Sequence, residues 1–311
     1  EGMAWFIGWC LVLEYLFASA SVAVGWSAYL ISFITTTLHM PFPDALSAAP
    51  ISWTGQEFIS SGKLFNLPAV LIVAAVSGLL YVGVTQSAFV NAIIVAIKVT
   101  VICLFIGFGA QHIDVANWTP FIPENTGVSG EFGWSGVFRA ATIVFFAYIG
   151  FDAVSTAAGE TKDPQRNMPI GLIGSLAVCT IVYIIVCAVL TGMMPYNLLG
   201  TDKPVATALE PYASLSWLKT AVEIGAIAGL SSVVLVMMMG QTRIAYTISR
   251  DGLIPKLFGK VHPRFRTPYW ATIVVGVLAA ALAGLMPLNV LGALVSMGTL
   301  LAFATVCIGV L

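Results

Sequence analysis

The sequence has little charge, and this is the first indication of its class. Only 9% of its 311 residues are Asp, Glu, Lys or Arg, against about 25% in soluble domains. Hydrophobic residues make up 59% of the chain, and a soluble fold of this length cannot bury so much apolar surface. Lipid is therefore the solvent expected around most of the chain. The net charge of −1 gives no basic face for nucleic acid, so no nucleic-acid partner is expected.

Catalytic and metal-binding motifs are also lacking. The sequence has no HExxH, no P-loop and no GxSxG, which argues against an enzyme, and no cofactor is expected. Its cysteines show neither a CxxC pair nor ligand spacing, so no metal site is predicted. All five lie in apolar runs and are interpreted as small buried hydrophobic side chains. They are Cys10, Cys103, Cys179, Cys187 and Cys307.

Long apolar runs fill the sequence instead. A transmembrane helix needs about 20 apolar residues, and eight runs reach or nearly reach that length. They span 3–31, 66–83, 88–109, 136–158, 169–192, 221–249, 269–286 and 289–311. The prediction is an all-α polytopic membrane protein with about eight transmembrane helices. Because the chain starts at Glu1 and stops within an apolar run, we expect it to be a piece of a longer protein.

The basic residues predict the orientation in the membrane. Connections 159–168 and 250–268 hold most of the lysines and arginines that lie between spans. Cytoplasmic loops carry such an excess, so these two connections are predicted to be cytoplasmic. The long loops 32–65, 110–135 and 193–220 then face outward.

Two ionisable residues, Glu14 and Lys98, lie at the centres of predicted spans. An unpaired charge in lipid is costly, so each predicts either a functional group or a structural pair that fixes helix packing. A lysine that is charged in one conformation and neutral in another can couple a proton to movement. Glu223, Arg139 and Arg243 lie nearer the ends of spans and are expected to reach toward the membrane surface.

The stretch FFAYIGFDAVSTAAGETKDPQRN, residues 145–167, places Gly150 and Asp152 inside an apolar run. Glycine breaks helices and aspartate caps them, so we predict a helix that stops near Ala147 and restarts after Asp152. Residues near 149–151 are predicted to be non-helical. Broken helices at mid-membrane are how secondary transporters build substrate sites. A channel would need polar stripes on several helices, which the sequence does not show.

Three stretches, GWCLVLEYL, FFAYIGFDAVSTAAGETKDPQRNMPIG and GQTRIAYTISRDGLIP, resemble the cationic amino acid transporter branch of the amino acid–polyamine–organocation superfamily. The resemblance covers essentially the whole chain. It implies the leucine-transporter fold with two inverted repeats, within which the chain runs from the third helix to the tenth. Residues 1–311 then form a single transmembrane domain, with 1–135 ending the first repeat and 136–311 forming the second. One departure is Gly159-Glu160, where the family commonly has two acids.

The resemblance also implies site residues. The carbonyls of Phe146 and Ile149 would receive the substrate ammonium, together with Ala147 and Gly150 in the same broken segment. Glu14 would lie near the substrate side chain, and Lys98 would take the place of a coupling ion. Two further side chains of the family's eighth helix are candidates for substrate contact, with core packing as the alternative. They are Leu230 and Val234.

The function implied is secondary active transport of amino acids, coupled to protons as a symporter, in the plasma or inner membrane. The expected partners are an amino acid substrate, protons and the lipid bilayer. Cationic and neutral amino acids both remain open as substrates. An uncoupled exchanger or facilitator, or a channel-like protein, is the alternative.

Overall fold

The structure is a computed structural model that describes residues 2–55, 57–83, 88–150 and 163–310. Nearly all of its regular structure is α-helical. The helices are α1 (Gly2–Ser32), α2 (Leu67–Val82), α3 (Ala88–Gly109), α4 (Gly133–Val144), α5 (Pro164–Met193), α6 (Pro204–Leu209), α7 (Ser216–Arg250), α8 (Tyr269–Leu285) and α9 (Leu288–Val310). This confirms the all-α polytopic class.

Five stretches of the described chain are long and apolar enough to cross a membrane: 5–37, 92–112, 164–193, 213–250 and 288–309. Two more apolar helices, α2 and α8, are shorter, with 16 and 17 residues. In the fourth predicted span, the α-helix ends at Val144 and residues 151–162 lie outside the described part. The described chain therefore gives fewer full-length spans than the eight predicted.

The chain divides into two compact units, 1–98 with 223–311, and 99–222. In the first unit α1 packs against α2, α8 and α9, and α2 packs against α8. Much of this core consists of alanine, with Ala20, Ala23, Ala69, Ala279 and Ala283 all fully buried. Small side chains let helix backbones approach closely, which is how helices associate in lipid. The division into inverted repeats stays a prediction.

Helices α1 and α7 are joined by polar contacts along their length. Trp26 of α1 donates its indole N–H toward the carbonyl of Ile227 at 3.0 Å and toward Oγ of Ser231 at 2.8 Å. Near the other end, Nε2 of Gln241 donates to the carbonyl of Val12 at 3.2 Å. Early residues of one helix meet late residues of the other, so α1 and α7 run antiparallel.

The second unit is organised around α5, which packs against two short 3₁₀ turns of the loop after α3. Beyond α5, the carboxylate of Glu210 accepts hydrogen bonds from Lys203 at 3.0 Å and from Lys219 at 3.4 Å. Burial acts to raise the pKa of the Glu210 carboxyl. The two ammonium groups outweigh burial, so this pKa lies below its usual value.

A small antiparallel hairpin was not predicted from the sequence. Strands β1 (Ile51–Trp53) and β2 (Phe58–Ser60) pair in the loop after α1. Asp44 and Lys63 form an ion pair in the same loop. The interpretation of the cysteines needs correction. All five are free, but only Cys10 is buried, because the other four lie on exposed faces of apolar helices, where lipid makes burial unnecessary.

Candidate functional site

The described residues contain the predicted end of the helix. Helix α4 ends at Val144, and residues 145–148 form a 3₁₀ turn. Ile149 and Gly150 follow in a non-helical turn, with Gly150 at φ 111°, a conformation that favours glycine. Phe151 and the predicted cap Asp152 lie outside the described residues, as does the predicted restart of the helix.

Within this break one carbonyl already has a partner. The hydroxyl of Tyr183 on α5 donates to the carbonyl of Ala147 at 2.8 Å. Tyr148, the residue after Ala147, shares a 3.1 Å hydrogen bond with Thr180. The rings of Tyr148 and Tyr183 pack edge to face, with their centroids 5.5 Å apart. A broken helix in lipid needs such partners, because bare backbone polar groups are not tolerated there.

Sequence reasoning missed these α5 residues, although a weak signal was present. Thr180 and Tyr183 are spaced three apart in an otherwise apolar stretch, and that spacing places both on one face of a helix. The backbone of Phe146 lies in the 3₁₀ turn, while its side chain is outside the described part. That the carbonyls of Phe146 and Ile149 receive a substrate ammonium stays a prediction.

In the first unit, Lys98 is directed at α7. Its ammonium Nζ donates to Oγ of Ser232 at 2.8 Å, and that hydroxyl donates in turn to the carbonyl of Gly229 at 2.8 Å. The aliphatic stem of Lys98 lies over Gly229, where an added Cβ would be only 2.9 Å from Cε of the lysine. Gly229 therefore packs against the aliphatic stem of Lys98, and Ser232 accepts the hydrogen bond from its ammonium.

Within the described part of the chain, the charge of Lys98 is met by a hydroxyl rather than by an acid. The ion pairs among the described residues involve Lys63, Lys203 and Lys219, and none involves Lys98. A hydroxyl oxygen can accept from an ammonium but cannot neutralise it. Among the described residues, the lysine ammonium is therefore held by a neutral acceptor.

The other candidate site residues of the first unit are buried to different extents. Glu14 is fully buried on α1, at the turn where Gly298 of α9 faces its backbone. Leu230 is partly buried on α7, while Val234, one turn further on, is fully buried in the hydrophobic core. Core packing therefore accounts for Val234, and substrate contact for Glu14 and Leu230 stays a prediction.

One expectation about charge is wrong. Glu223 was expected to reach toward the membrane surface, yet its side chain is fully buried. Its carboxylate accepts hydrogen bonds from Ser32 and Thr37 at the end of α1. These hydroxyls replace water as donors, which removes the need for the side chain to extend outward.

Comparison with known proteins gives the family. A family model described as amino acid permease matches residues 1–311. The chain therefore belongs to the amino acid permease family, whose members are multi-pass membrane transporters rather than enzymes.

Several relatives match over the whole chain. It is 46% identical over 312 residues to the branched-chain amino acid permease BcaP of Bacillus subtilis and 43% identical over 311 residues to the methylthioribose transporter of that organism. The cationic amino acid transporter 4, vacuolar, of Arabidopsis thaliana is 34% identical over 312 residues. The chain spans 64% of the length of each of the two bacterial relatives and 50% of the plant one.

Proposed function

We propose that the protein is a secondary active transporter that carries amino acids across a membrane by proton symport. Membership of the amino acid permease family supports amino acid transport. The end of α4 at Val144, with the non-helical Ile149 and Gly150 shortly after it, supports alternating access around a broken helix. The leucine-transporter arrangement of inverted repeats, with Glu14 and Leu230 at the substrate, is part of the same proposal.

The observation that carries proton coupling is the environment of Lys98. Its ammonium is bound by the Ser232 hydroxyl with no acidic partner among the described residues. A proton can drive transport only if the two conformations of the carrier bind it differently. A lysine held by one neutral acceptor has this property, because losing that acceptor or gaining water changes how well its charge is stabilised.

The proposed substrate is an amino acid, and the uptake experiment below determines which side chain it carries. The names of the relatives point to branched-chain amino acids, cationic amino acids and methylthioribose. The proposed location is the plasma membrane, with 159–168 and 250–268 on the cytoplasmic side, although the plant relative is named as vacuolar.

The test is uptake by the full-length protein in liposomes. Radiolabelled L-leucine, L-arginine and methylthioribose are offered separately, with and without an inward proton gradient. We expect an amino acid to accumulate against its gradient and the accumulation to collapse with a protonophore. Equilibration without accumulation would identify an uncoupled exchanger or facilitator instead, and accumulation of methylthioribose alone would overturn the amino acid assignment.

A further inference from the structure

An apolar cavity lies in the first unit, where the beginning of α1 meets the end of α7. It has a volume of about 160 Å³, and its walls come from α1, α7, α8 and the connection between α7 and α8. Nearly all the lining side chains are apolar. The polar one, Gln241, donates its amide N–H to the carbonyl of Val12 at 3.2 Å. The ligand that suits such a wall is hydrocarbon.

The cavity is open on one side. Its floor is buried, with Ala245 of α7 only 3% exposed and Val275 of α8 only 4% exposed. Its rim is not, because Trp9 and Leu13 of α1 are each 41% exposed and Leu278 of α8 is 49% exposed. These rim residues belong to apolar helices of a multi-pass membrane protein, so the opening faces hydrocarbon.

The volume of the cavity matches part of one acyl chain. A cavity of about 150 Å³ lined by leucine, isoleucine and phenylalanine stays dry and binds benzene. The cavity here has a similar volume and a similar wall, so it can hold a short run of acyl carbons. Because it opens toward lipid, a chain can enter from the bilayer without any unfolding.

Tryptophans indicate that this end of the molecule lies at the membrane surface. The rings of Trp5 and Trp9 at the start of α1 pack edge to face, with their centroids 6.3 Å apart, and both are exposed. Tryptophan is enriched at the level of the lipid headgroups. The cavity, whose rim includes Trp9, therefore lies just below the headgroups, where the first carbons of an acyl chain run.

The connection after α7 gives a fixed wall to the cavity. Ile254, Pro255 and Phe258 of this connection line it. The hydroxyl of Ser249, in the last turn of α7, donates to the carbonyl of Pro255 at 2.9 Å. The backbone N–H of Phe258 donates to the same carbonyl at 3.2 Å. These bonds hold the lining residues in place, so the wall is formed before a ligand arrives.

The same connection carries basic side chains. Lys256 lies between the lining residues Pro255 and Phe258, and Lys260 follows two residues later. Both lysines are exposed, and no ion pair among the described residues involves either of them. Basic residues beside a membrane attract anionic lipids, which are concentrated in the cytoplasmic leaflet. A lysine can keep its stem near apolar surface while its ammonium reaches the headgroups.

We propose that the cavity binds one acyl chain of an anionic phospholipid from the cytoplasmic leaflet, and that Lys256 and Lys260 bind the phosphate of its headgroup. A basic connection alone would only reflect orientation in the membrane, and an apolar cavity alone would accept an uncharged lipid equally well. The two features share one fixed segment, and this combination selects an anionic lipid. The proposal is independent of which substrate is carried and of proton coupling.

The experiment counts the lipids that the full-length protein retains. The protein is reconstituted in nanodiscs with equal amounts of phosphatidylglycerol and phosphatidylcholine and transferred to a mild detergent. The bound lipids are then identified by native mass spectrometry. We expect one phosphatidylglycerol to be retained. Each basic residue near the surface contributes about fivefold in binding, so Lys256→Gln with Lys260→Gln should lower the preference for phosphatidylglycerol by about 25-fold.

A second variant tests the cavity itself. Ala245→Leu places extra carbons in it, and each acyl methylene that they displace lowers binding about fourfold. Retention of either lipid should therefore fall by more than about tenfold. The matched control is Arg166→Gln, which removes an exposed charge from the other predicted cytoplasmic connection and should retain lipid as the wild type does.

Several results would overturn the proposal. Equal retention of the two lipids by the wild type would show that the lysines do not select a headgroup. Unchanged retention by Ala245→Leu would place the lipid elsewhere, and an equal effect of Arg166→Gln would reduce the preference to general surface charge. A wild type that retains no lipid would show that the cavity is covered by a part of the full-length protein outside residues 1–311. The lysine variants change only exposed side chains, so they test the proposal even if Ala245→Leu does not fold.

Discussion

The hydrogen bond between Lys98 and Ser232 gives the most direct prediction. Lys98→Ala should abolish proton-driven accumulation more than it reduces substrate binding. The lysine donates from a charged ammonium at 2.8 Å, and a bond of this kind contributes about 1.5–3 kcal/mol. If only one of the two conformations makes this bond, the proton biases their populations by about 10- to 150-fold. Removing the ammonium removes the whole of that bias.

The assay is uptake by full-length protein in liposomes with and without an inward proton gradient, alongside equilibrium substrate binding. Lys98→Met is the matched variant, because it keeps most of the stem that packs on Gly229 but carries no proton. Ser232→Ala keeps the charge and removes the acceptor, so it should weaken accumulation without abolishing it.

Full gradient-driven accumulation by both Lys98→Ala and Lys98→Met would refute this reasoning. Lys98 would then be a packing residue, and Glu14 would be the next candidate for the coupling site. Loss in the alanine variant alone would show that the stem matters and the proton does not. Loss in both, with binding retained, is the expected result.

Three further predictions concern other contacts. Gly229→Ala places a methyl group 2.9 Å from Cε of Lys98, so it should reduce accumulation in the same uptake assay while the protein still folds; unchanged accumulation would contradict this. Tyr183→Phe removes the donor to the Ala147 carbonyl and should lower the free energy of unfolding by about 1 kcal/mol in a denaturation series; equal stability would show that the carbonyl does not depend on this donor. The pKa of Glu210 is lowered, so the stabilisation that it gives is present above its unfolded pKa and is lost as pH falls through its folded pKa. Glu210→Gln should therefore lower Tm at neutral pH but not in acid. An equal loss of Tm at both pH values would argue against the ion pairs.

Much of the fold was predictable from the sequence. The helix bounds follow from the length of the apolar runs, so α1, α3 and α5 begin and end within five residues of the predicted spans. The loss of helix at Ile149 and Gly150 was predictable because glycine and aspartate oppose helix in an apolar run. The hairpin of 51–60 was not, because its strands have three residues each and its loop gave no clear alternation.

The partners of the polar side chains were much harder to predict. Lys98 meets Ser232 across 134 positions of sequence, and Glu223 meets Ser32 across 191. Local periodicity carries no information about contacts between residues so far apart. The position of Glu223 near a helix end suggested access to water, but the hydroxyls that replace water come from another helix. Charge inside a span therefore identified the polar residues of the helix contacts without showing what they contact.

The indole of Trp26 has a consequence for the proposed alternating access. Its N–H is shared between a backbone carbonyl and a hydroxyl of α7, and in lipid no water is available to replace either acceptor. Any sliding of α1 along α7 would leave the indole N–H of Trp26 without an acceptor. In the proposed transport cycle the two helices should therefore move together as one rigid unit, and relative sliding is expected along other helices.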